Sequence, residues 1–468
     1  MMQTRNRAGR TTAAIAVVVG SMLLGACSVH QELLAPQNPG VIDPGAVANT
    51  AAADALYVGA LGRWKSSMNG GGNNTEALWN WEALFTDELQ SGDTFSQRND
   101  ADSRNLQTND GVLTPIYQAA QQARGRARDA INGLLAYDKS ALGVQHVGEM
   151  YLMMGYIEME LGESFCNGIP LGETVNGVPQ YTQPLTDADV FKTALARFDT
   201  ALTYLTASDA ATVTLKQATL IARGRVKVDL GDFQGAAAEV ASVPTSAQYN
   251  FDYSQTTFDN EWWIMGASVK RYTAGDSVNI AGRIFNAIPF ARLNDPRVKA
   301  VNSGKPGEDN TTIFIDVQNW GRDDPIPALS GIDARLVEAE AQLNLKTDAG
   351  RANMLTILNT LRTNQQTLGI FKPATLAPLA PSAPFADSAA TSLFFREKAL
   401  WQFERGYRMG DLRRLVRQYG RTQDQVFPTG NFTRNGTPSG TYGTQVAFPV
   451  VDAELNNPNF HGCLDTKA

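Results

Sequence analysis

The residues best able to do chemistry are carboxylates in close pairs: Asp87 with Glu88, Glu338 with Glu340, Glu397 with Glu404, and Asp452 with Glu454. Glycoside cleavage needs two such groups facing across a cleft at a defined separation, which sequence spacing does not supply. Arg396, Glu397, Glu404, Arg408 and Asp411 recur at helical intervals, so ion pairing along a helix face accounts for them more simply. The three histidines, His30, His146 and His461, are scattered without His-x-x-x-His spacing, and no Cys-x-x-Cys occurs, which argues against a metal site. Asn69-Gly-Gly-Gly-Asn73 lacks the Lys-Ser/Thr of a phosphate loop and reads as an ordinary loop. No Gly-x-Ser-x-Gly elbow is present. We therefore expect no catalytic residue, no metal and no cofactor.

Binding chemistry is better supplied. Between Thr245 and Leu329 helical periodicity fades, and aromatic residues mingle with Asn, Asp and Gly. Sugars present apolar ring faces and many hydroxyls, so their sites combine aromatic platforms with amide, carboxylate and guanidinium partners. Trp320 beside Asn319 and Arg322, Tyr272 beside Arg271 and Asp276, Trp262, and Phe95 with Gln97 and Arg98 are expected to form such a face. Of the adjacent Trp262 and Trp263, one is expected to be core. Trp79 and Trp81, on a helix, are assigned to packing. The stretch 245–329 is too long for a structureless loop. It is expected to be an irregular, loop-rich insert with short strands.

The elements that would hold these groups are mainly helical. Ala46–Trp64, Leu78–Leu89, Leu113–Leu135 and Val144–Leu161 carry apolar residues at helical spacing, the last stopping at Gly162. Asp187 or Asp189 is placed to cap a helix through Leu202. Two helices meeting at Leu230-Gly231-Asp232-Phe233, with small residues where they cross, resemble a tetratricopeptide repeat. Helices resume over Ile332–Ala341 and Ala352–Leu361, and a last long helical stretch covers Leu393–Tyr419. The expected fold class is mainly α: a tetratricopeptide-like superhelix over 46–244, the insert over 245–329, and a C-terminal helical region and tail over 330–468.

The first residues belong to a different physical class. Arg5, Arg7 and Arg10 precede an apolar stretch from Ala13 to Leu24 that is too short to cross a bilayer and fits a signal-peptide core. It ends in Leu24-Gly25-Ala26-Cys27, which resembles a bacterial lipobox, so 1–26 is expected to be a lipoprotein signal peptide. Cys27 is then the lipidated first residue, and 27–45 a Pro-containing tether. Removing 1–26 takes away three arginines and no acid, moving the formal charge from −7 to −10. With no basic stripe bearing interleaved aromatics, nucleic-acid binding is not expected. Cys166 and Cys463 remain, and an even pair in an exported chain suggests a disulfide. Two unrelated buried thiols are the alternative.

Three passages together resemble the SusD/RagB family of nutrient-binding outer-membrane lipoproteins. The first is Phe395-Arg-Glu-Lys-Ala-Leu-Trp-Gln-Phe-Glu-Arg-Gly-Tyr-Arg-Met-Gly-Asp-Leu-Arg-Arg414, like the family's late helix pair. The second is Ala339-Glu340-Ala341 with Leu358-Asn359-Thr360-Leu361-Arg362. The third is Ala447-Phe448-Pro449-Val450 with Glu454 and Asn457-Pro458-Asn459. Departures from the family pattern are Glu404-Arg405-Gly406, one residue longer than the usual Glu-Gly, and the ending Phe460-His461-Gly462-Cys463. The resemblance implies a non-enzymatic, surface-facing outer-membrane lipoprotein. Such a protein binds a glycan or similar nutrient and passes it to a TonB-dependent, SusC-like receptor. Its rivals are an envelope tetratricopeptide scaffold that binds proteins and a glycan-cleaving lipoprotein.

Overall fold

The computed structural model describes residues 47–71, 76–175, 178–275, 284–285, 287–380, 386–434 and 437–468. The expected signal peptide, Cys27, the tether, part of the Gly-rich loop and Asp276 lie outside the described residues. Ala48–Ala468 forms one compact unit, which carries everything described below. No described helix is long and apolar enough to cross a membrane.

Helices dominate: α1 (Thr50–Asn69), α2 (Leu78–Phe85), α3 (Ser96–Asp102), α4 (Leu113–Tyr137), α5 (Ala141–Ser164), α6 (Asp187–Tyr204), α7 (Ala210–Asp229), α8 (Phe233–Val240), α9 (Glu261–Trp263), α10 (Gly331–Asn344), α11 (Asp348–Thr363), α12 (Asp387–Trp401) and α13 (Arg408–Arg417). Their starts follow capping chemistry, with Asn49, Ser140, Asp209, Ser330 and Thr347 accepting bonds from first-turn N–H groups. At α6 the cap is Thr186 rather than either aspartate, because Asp187 turns inward to pair with Arg413.

Packing follows chain order, α4 on α5, α5 on α6, α6 on α7 and α7 on α8, with α10 laid against α8 and α11. Along α5, glycines at seven-residue intervals form notches. A Cβ at Gly148, Gly155 or Gly162 would come within 2.7, 2.6 or 2.8 Å of Leu205, Phe198 or Phe191 respectively. The α6 partners descend as the glycines ascend, so the two helices run antiparallel. Gly162 is therefore a packing notch rather than a helix stop, and α5 continues to Ser164. Gly231, at φ +83°, makes the turn between α7 and α8, and Asp232 caps the second helix through the Gly235 N–H.

The late stretch is not one helix. Between α12 and α13 the backbone reverses through Glu404 at φ +59° and Gly406 at φ +71°. A Cβ on Gly406 would stand 2.1 Å from the Trp79 ring. The charges of this passage are mostly buried and pair across elements rather than along one helix face. Glu397 joins Arg297 (2.6 Å) and Arg362 (2.7 Å), Arg405 meets Asp333 (2.6 Å), and Lys398 meets Asp411 (2.7 Å). Arg414 with Asp411 is a pair within one helix, and Arg396 is exposed. Buried charges persist only when paired in this way.

The strands are short: β1 (Leu89–Ser91), β2 (Ile169–Pro170), β3 (Glu173–Val175), β4 (Val178–Gln180), β5 (Pro184–Leu185), β6 (Gln248–Phe251), β7 (Tyr272–Ala274), β8 (Ile284–Phe285), β9 (Ala300–Pro306), β10 (Ile313–Val317), β11 (Ile326–Ser330), β12 (Thr429–Arg434) and β13 (Thr437–Thr441). β6 and β11 pair antiparallel from Phe251–Ile326 to Gln248–Ser330, joining the two ends of the irregular region. That region is also sewn to its flanks, β7 pairing with β1 and β8 with β12. Phe251 packs between Trp64 and Trp79, at centroid distances of 5.2 and 5.4 Å, so the strand pair is anchored in the helical core.

Candidate ligand-binding face

The register Ser91–Tyr272 brings two loops side by side, the one leaving β1 and the one entering β7. The Gly92 N–H donates to the Arg271 carbonyl at 2.8 Å, and the Asp309 N–H from the β9–β10 turn donates to the Gly92 carbonyl at 2.9 Å. From this platform the ring of Phe95 projects with 49 % of its area exposed. The Arg98 guanidinium lies 4.9 Å from the ring centroid and that of Arg271 lies 5.7 Å away. Arg98 is buried and ion-paired to both Glu76 and Asp93, and Arg271 reaches Asp93 at 3.4 Å.

A second tier lies behind this one. The Tyr272 hydroxyl donates to Glu76 at 2.9 Å, and burial together with the Glu76 charge holds that phenol well above its usual range. Glu261, buried next in line, is pushed up to about 9 by desolvation and the Glu76 charge, against the pull of Arg98 and the Gly71 N–H. Gly70 lets the chain pass over it, since a Cβ there would come within 2.8 Å of the Glu261 side chain. Around it, the Asn69 side-chain amide donates to the Tyr253 hydroxyl (2.9 Å) and to Asn260 (3.2 Å).

The five residues expected on a ligand face are thus sorted by the fold. Phe95, Arg98 and Tyr272 come together, but Phe95 alone presents a large open surface, with Arg98 and Tyr272 supporting it from below. Trp262 is buried, and the half-exposed member of the Trp pair is Trp263, with the Arg322 guanidinium 5.2 Å over its ring. Trp320 is not on a face at all. It is 3 % exposed and packs edge-on to Phe371, while its neighbour Asn319 braces the Lys299 N–H and the Arg297 carbonyl. Its turn-rich local sequence reads as surface only because Phe371 and the other covering groups lie far along the chain.

Two contributors, Glu76 and Asp93, escape the sequence reading, which places Arg271 beside Tyr272 but not against Phe95 and does not say which of Trp262 and Trp263 is core. Adjacency in sequence points to Arg271 and to the Trp pair, since a one-turn helix cannot bury two adjacent indoles on the same side, whereas nothing local points to Glu76 or Asp93. Cys166 and Cys463 are joined in a disulfide, with Cα atoms 6.0 Å apart. Three of the paired carboxylates are ion-paired, Glu338 with Arg335 (3.1 Å), Glu340 with Lys398 (3.2 Å) and Arg414, and Glu397 as above, while Glu88 and Glu404 are buried side by side and pushed up by desolvation.

No family model matches the sequence, and no curated protein matches it. Solved structures do match. A SusD superfamily protein from Bacteroides fragilis superposes with a TM-score of 0.63 at 12 % identity, over 88 % of this chain and 99 % of the other. A SusD superfamily protein from Parabacteroides distasonis gives 0.62 at 13 %, over 88 % and 98 %. A SusD-like carbohydrate-binding protein from Bacteroides fragilis gives 0.61 at 13 %, over 88 % and 99 %. Over 88 % of its length the chain thus shares its fold with these solved structures of SusD superfamily and SusD-like proteins.

Proposed function

We propose that this chain is a lipid-anchored outer-membrane protein, tethered through Cys27, that captures a glycan and hands it to a TonB-dependent, SusC-like transporter. The observation that supports binding is the Phe95 ring, held open to solvent by a buried support of guanidinium and carboxylate groups. An exposed aromatic ring with the part-exposed Arg271 guanidinium beside it offers a sugar ring a stacking face and its hydroxyls a donor. Solved neighbours of the same fold include proteins described as carbohydrate-binding. The anchor rests on the lipobox-like sequence, and the outer-membrane surface location and the transporter on family resemblance. Capture and release need no bond cleavage, and the ion pairing of Glu338, Glu340 and Glu397 with arginine and lysine favours a structural role for those three acids over glycan cleavage.

The test is titration calorimetry of the full chain against maltohexaose, xylohexaose, cellohexaose and mannohexaose, with product analysis of each mixture. Saturable binding without new reducing ends is expected. Accumulating shorter products would replace this reading with a glycan-cleaving enzyme. Binding of peptides but of no sugar would replace it with a protein scaffold. Radiolabelled palmitate incorporation, lost in Cys27→Ser, tests the anchor, and co-purification of a large β-barrel receptor tests the transporter.

A further inference from the structure

A concavity lies well away in sequence from the projecting Phe95 face. It is a cleft of about 470 Å³ between the outer side of α4, the β3–β4 hairpin and the segment carrying Glu454, within the size range of small-ligand sites. It shares no lining residue with the Phe95 cluster.

Three properties of its walls define what would fit. First, charge is balanced: Arg124, Arg126 and Arg128 face Asp129, Glu173 and Glu454. Two of the arginines are already engaged, Arg124 with Glu158 at 3.1 Å and Arg128 with Glu173 at 3.3 Å. Arg126 has no ion-pair partner among the described residues. The wall therefore offers hydrogen bonds without a strong net field, which suits an uncharged ligand.

Second, the rim carries an aromatic platform. Tyr181 is 49 % exposed although it follows directly on β4 and lines the cleft. Beside it the amide side chains of Gln122 and Gln180 line the same space. Third, the floor has been emptied. Gly125 sits mid-way along α4, where glycine weakens a helix relative to alanine. A Cβ there would meet nothing within 4 Å. Gly133 of the same helix differs, since its Cβ would touch Leu56 at 3.4 Å and Ala53 at 3.6 Å, so close packing of α1 accounts for it. No packing contact requires glycine at 125, and a Cβ there would stand in the open space of the cleft.

We propose that this cleft is a second binding site, for an uncharged oligosaccharide whose ring stacks on Tyr181 above the Gly125 floor. The proposal rests on the reading of the chain as a glycan binder but uses a separate surface, so the two can fail separately. Hydrogen–deuterium exchange on the full chain, with the four neutral hexasaccharides and hexagalacturonate as probes, reads both surfaces at once. At least one neutral sugar should protect 119–129 and 173–181. Tyr181→Ala should raise its half-saturating concentration about tenfold, as loss of one aromatic contact does. Gly125→Trp should abolish that protection while leaving protection of 92–99 intact. If Gly125→Trp does not fold, Tyr181→Ala, at an exposed site, decides alone. Protection confined to 92–99, or given at the cleft by hexagalacturonate only, overturns the second site and leaves the Phe95 face. Protection at the cleft alone upholds the second site and overturns the Phe95 face. No protection at either surface overturns both.

Discussion

The Arg98 guanidinium lies 4.9 Å from the centroid of the Phe95 ring while also engaging Glu76 and Asp93. One buried cation thus holds an exposed aromatic from behind and satisfies two acids at once. The two residues should therefore separate binding from stability. Phe95→Ala removes a half-exposed ring and should lower glycan affinity about tenfold, the scale of one aromatic contact, with the melting temperature almost unchanged. Arg98→Ala leaves Glu76 and Asp93 buried without their shared partner and should cost about 3–5 kcal/mol of stability. Calorimetric titration and thermal melts of both variants check this. Equal melting temperatures for the two would mean that the buried pairing does not support the ring.

Trp320 should behave in the opposite way to Phe95. A buried indole packed on Phe371 leaves a cavity when truncated, and Trp320→Ala should destabilise by about 3–5 kcal/mol. Denaturant unfolding measures it. A variant as stable as wild type but poor in ligand binding would return Trp320 to the binding face.

The contrast shows which parts of the molecule are legible in its residues. Helices such as α4 are visible because their apolar spacing is local, and Gly231 is visible because a turn needs positive φ. Gly162 misleads because a close helix crossing and a helix end both call for glycine. The site is half legible for a related reason. Phe95 and Arg98 lie close together in sequence, whereas Glu76 meets Tyr272 across 196 positions. Which aromatics end up buried depends on such distant partners, and neither composition nor periodicity records them.

Buried acids give the fold a defined pH response. Burial raises Glu88 to about 8, against the opposing charge of Arg408, and raises Glu261 to about 9. Each holds a proton in the folded state that it would lose above its ordinary value of 4.5 when unfolded. Their contribution is therefore full below that value and declines as pH rises towards 8 or 9, by about 1.4 kcal/mol per pH unit per group. Asp333 and Glu340 act oppositely. Burial works against their charged forms, but Arg405 in one case, and Arg414 with Lys398 in the other, holds them below the usual range. Their contribution is present above the ordinary carboxylate range and lost on acidification. The melting temperature should peak in mildly acidic solution, and Glu88→Gln should flatten the alkaline side. A melting temperature constant from pH 5 to 9 would contradict both raised values.

The disulfide should matter for the tail. Cys166 and Cys463 are 297 positions apart, and the bond lies among the contacts that dock the C-terminal segment, including Leu464 N–H to the Asn167 carbonyl at 2.7 Å. On the chain-entropy model a loop of this size is worth up to about 5 kcal/mol. Dithiothreitol should lower the melting temperature and expose 460–468 to protease. Intact mass after alkylation without reductant should show neither Cys166 nor Cys463 modified, and modification of both would remove the bond.

Two glycines with similar backbone angles give the sharpest test of the packing. Gly231 has φ +83° and Gly406 has φ +71°, so alanine is strained at both by about 1 kcal/mol. Their surroundings differ completely. A Cβ on Gly231 meets open space, whereas on Gly406 it would lie 2.1 Å from the Trp79 ring. Trp79 is itself buried against Phe251 at the strand pair that joins the irregular region to the helices, so it has nowhere to move. Gly231→Ala should lose only the backbone strain. Gly406→Ala should lose several kcal/mol more, by overpacking, or fail to fold. Shrinking the partner as well, in Gly406→Ala with Trp79→Leu, should recover part of that additional loss, because the clash and not the backbone angle causes it. If the two single variants melt at the same temperature, the turn between α12 and α13 does not press on Trp79 as described.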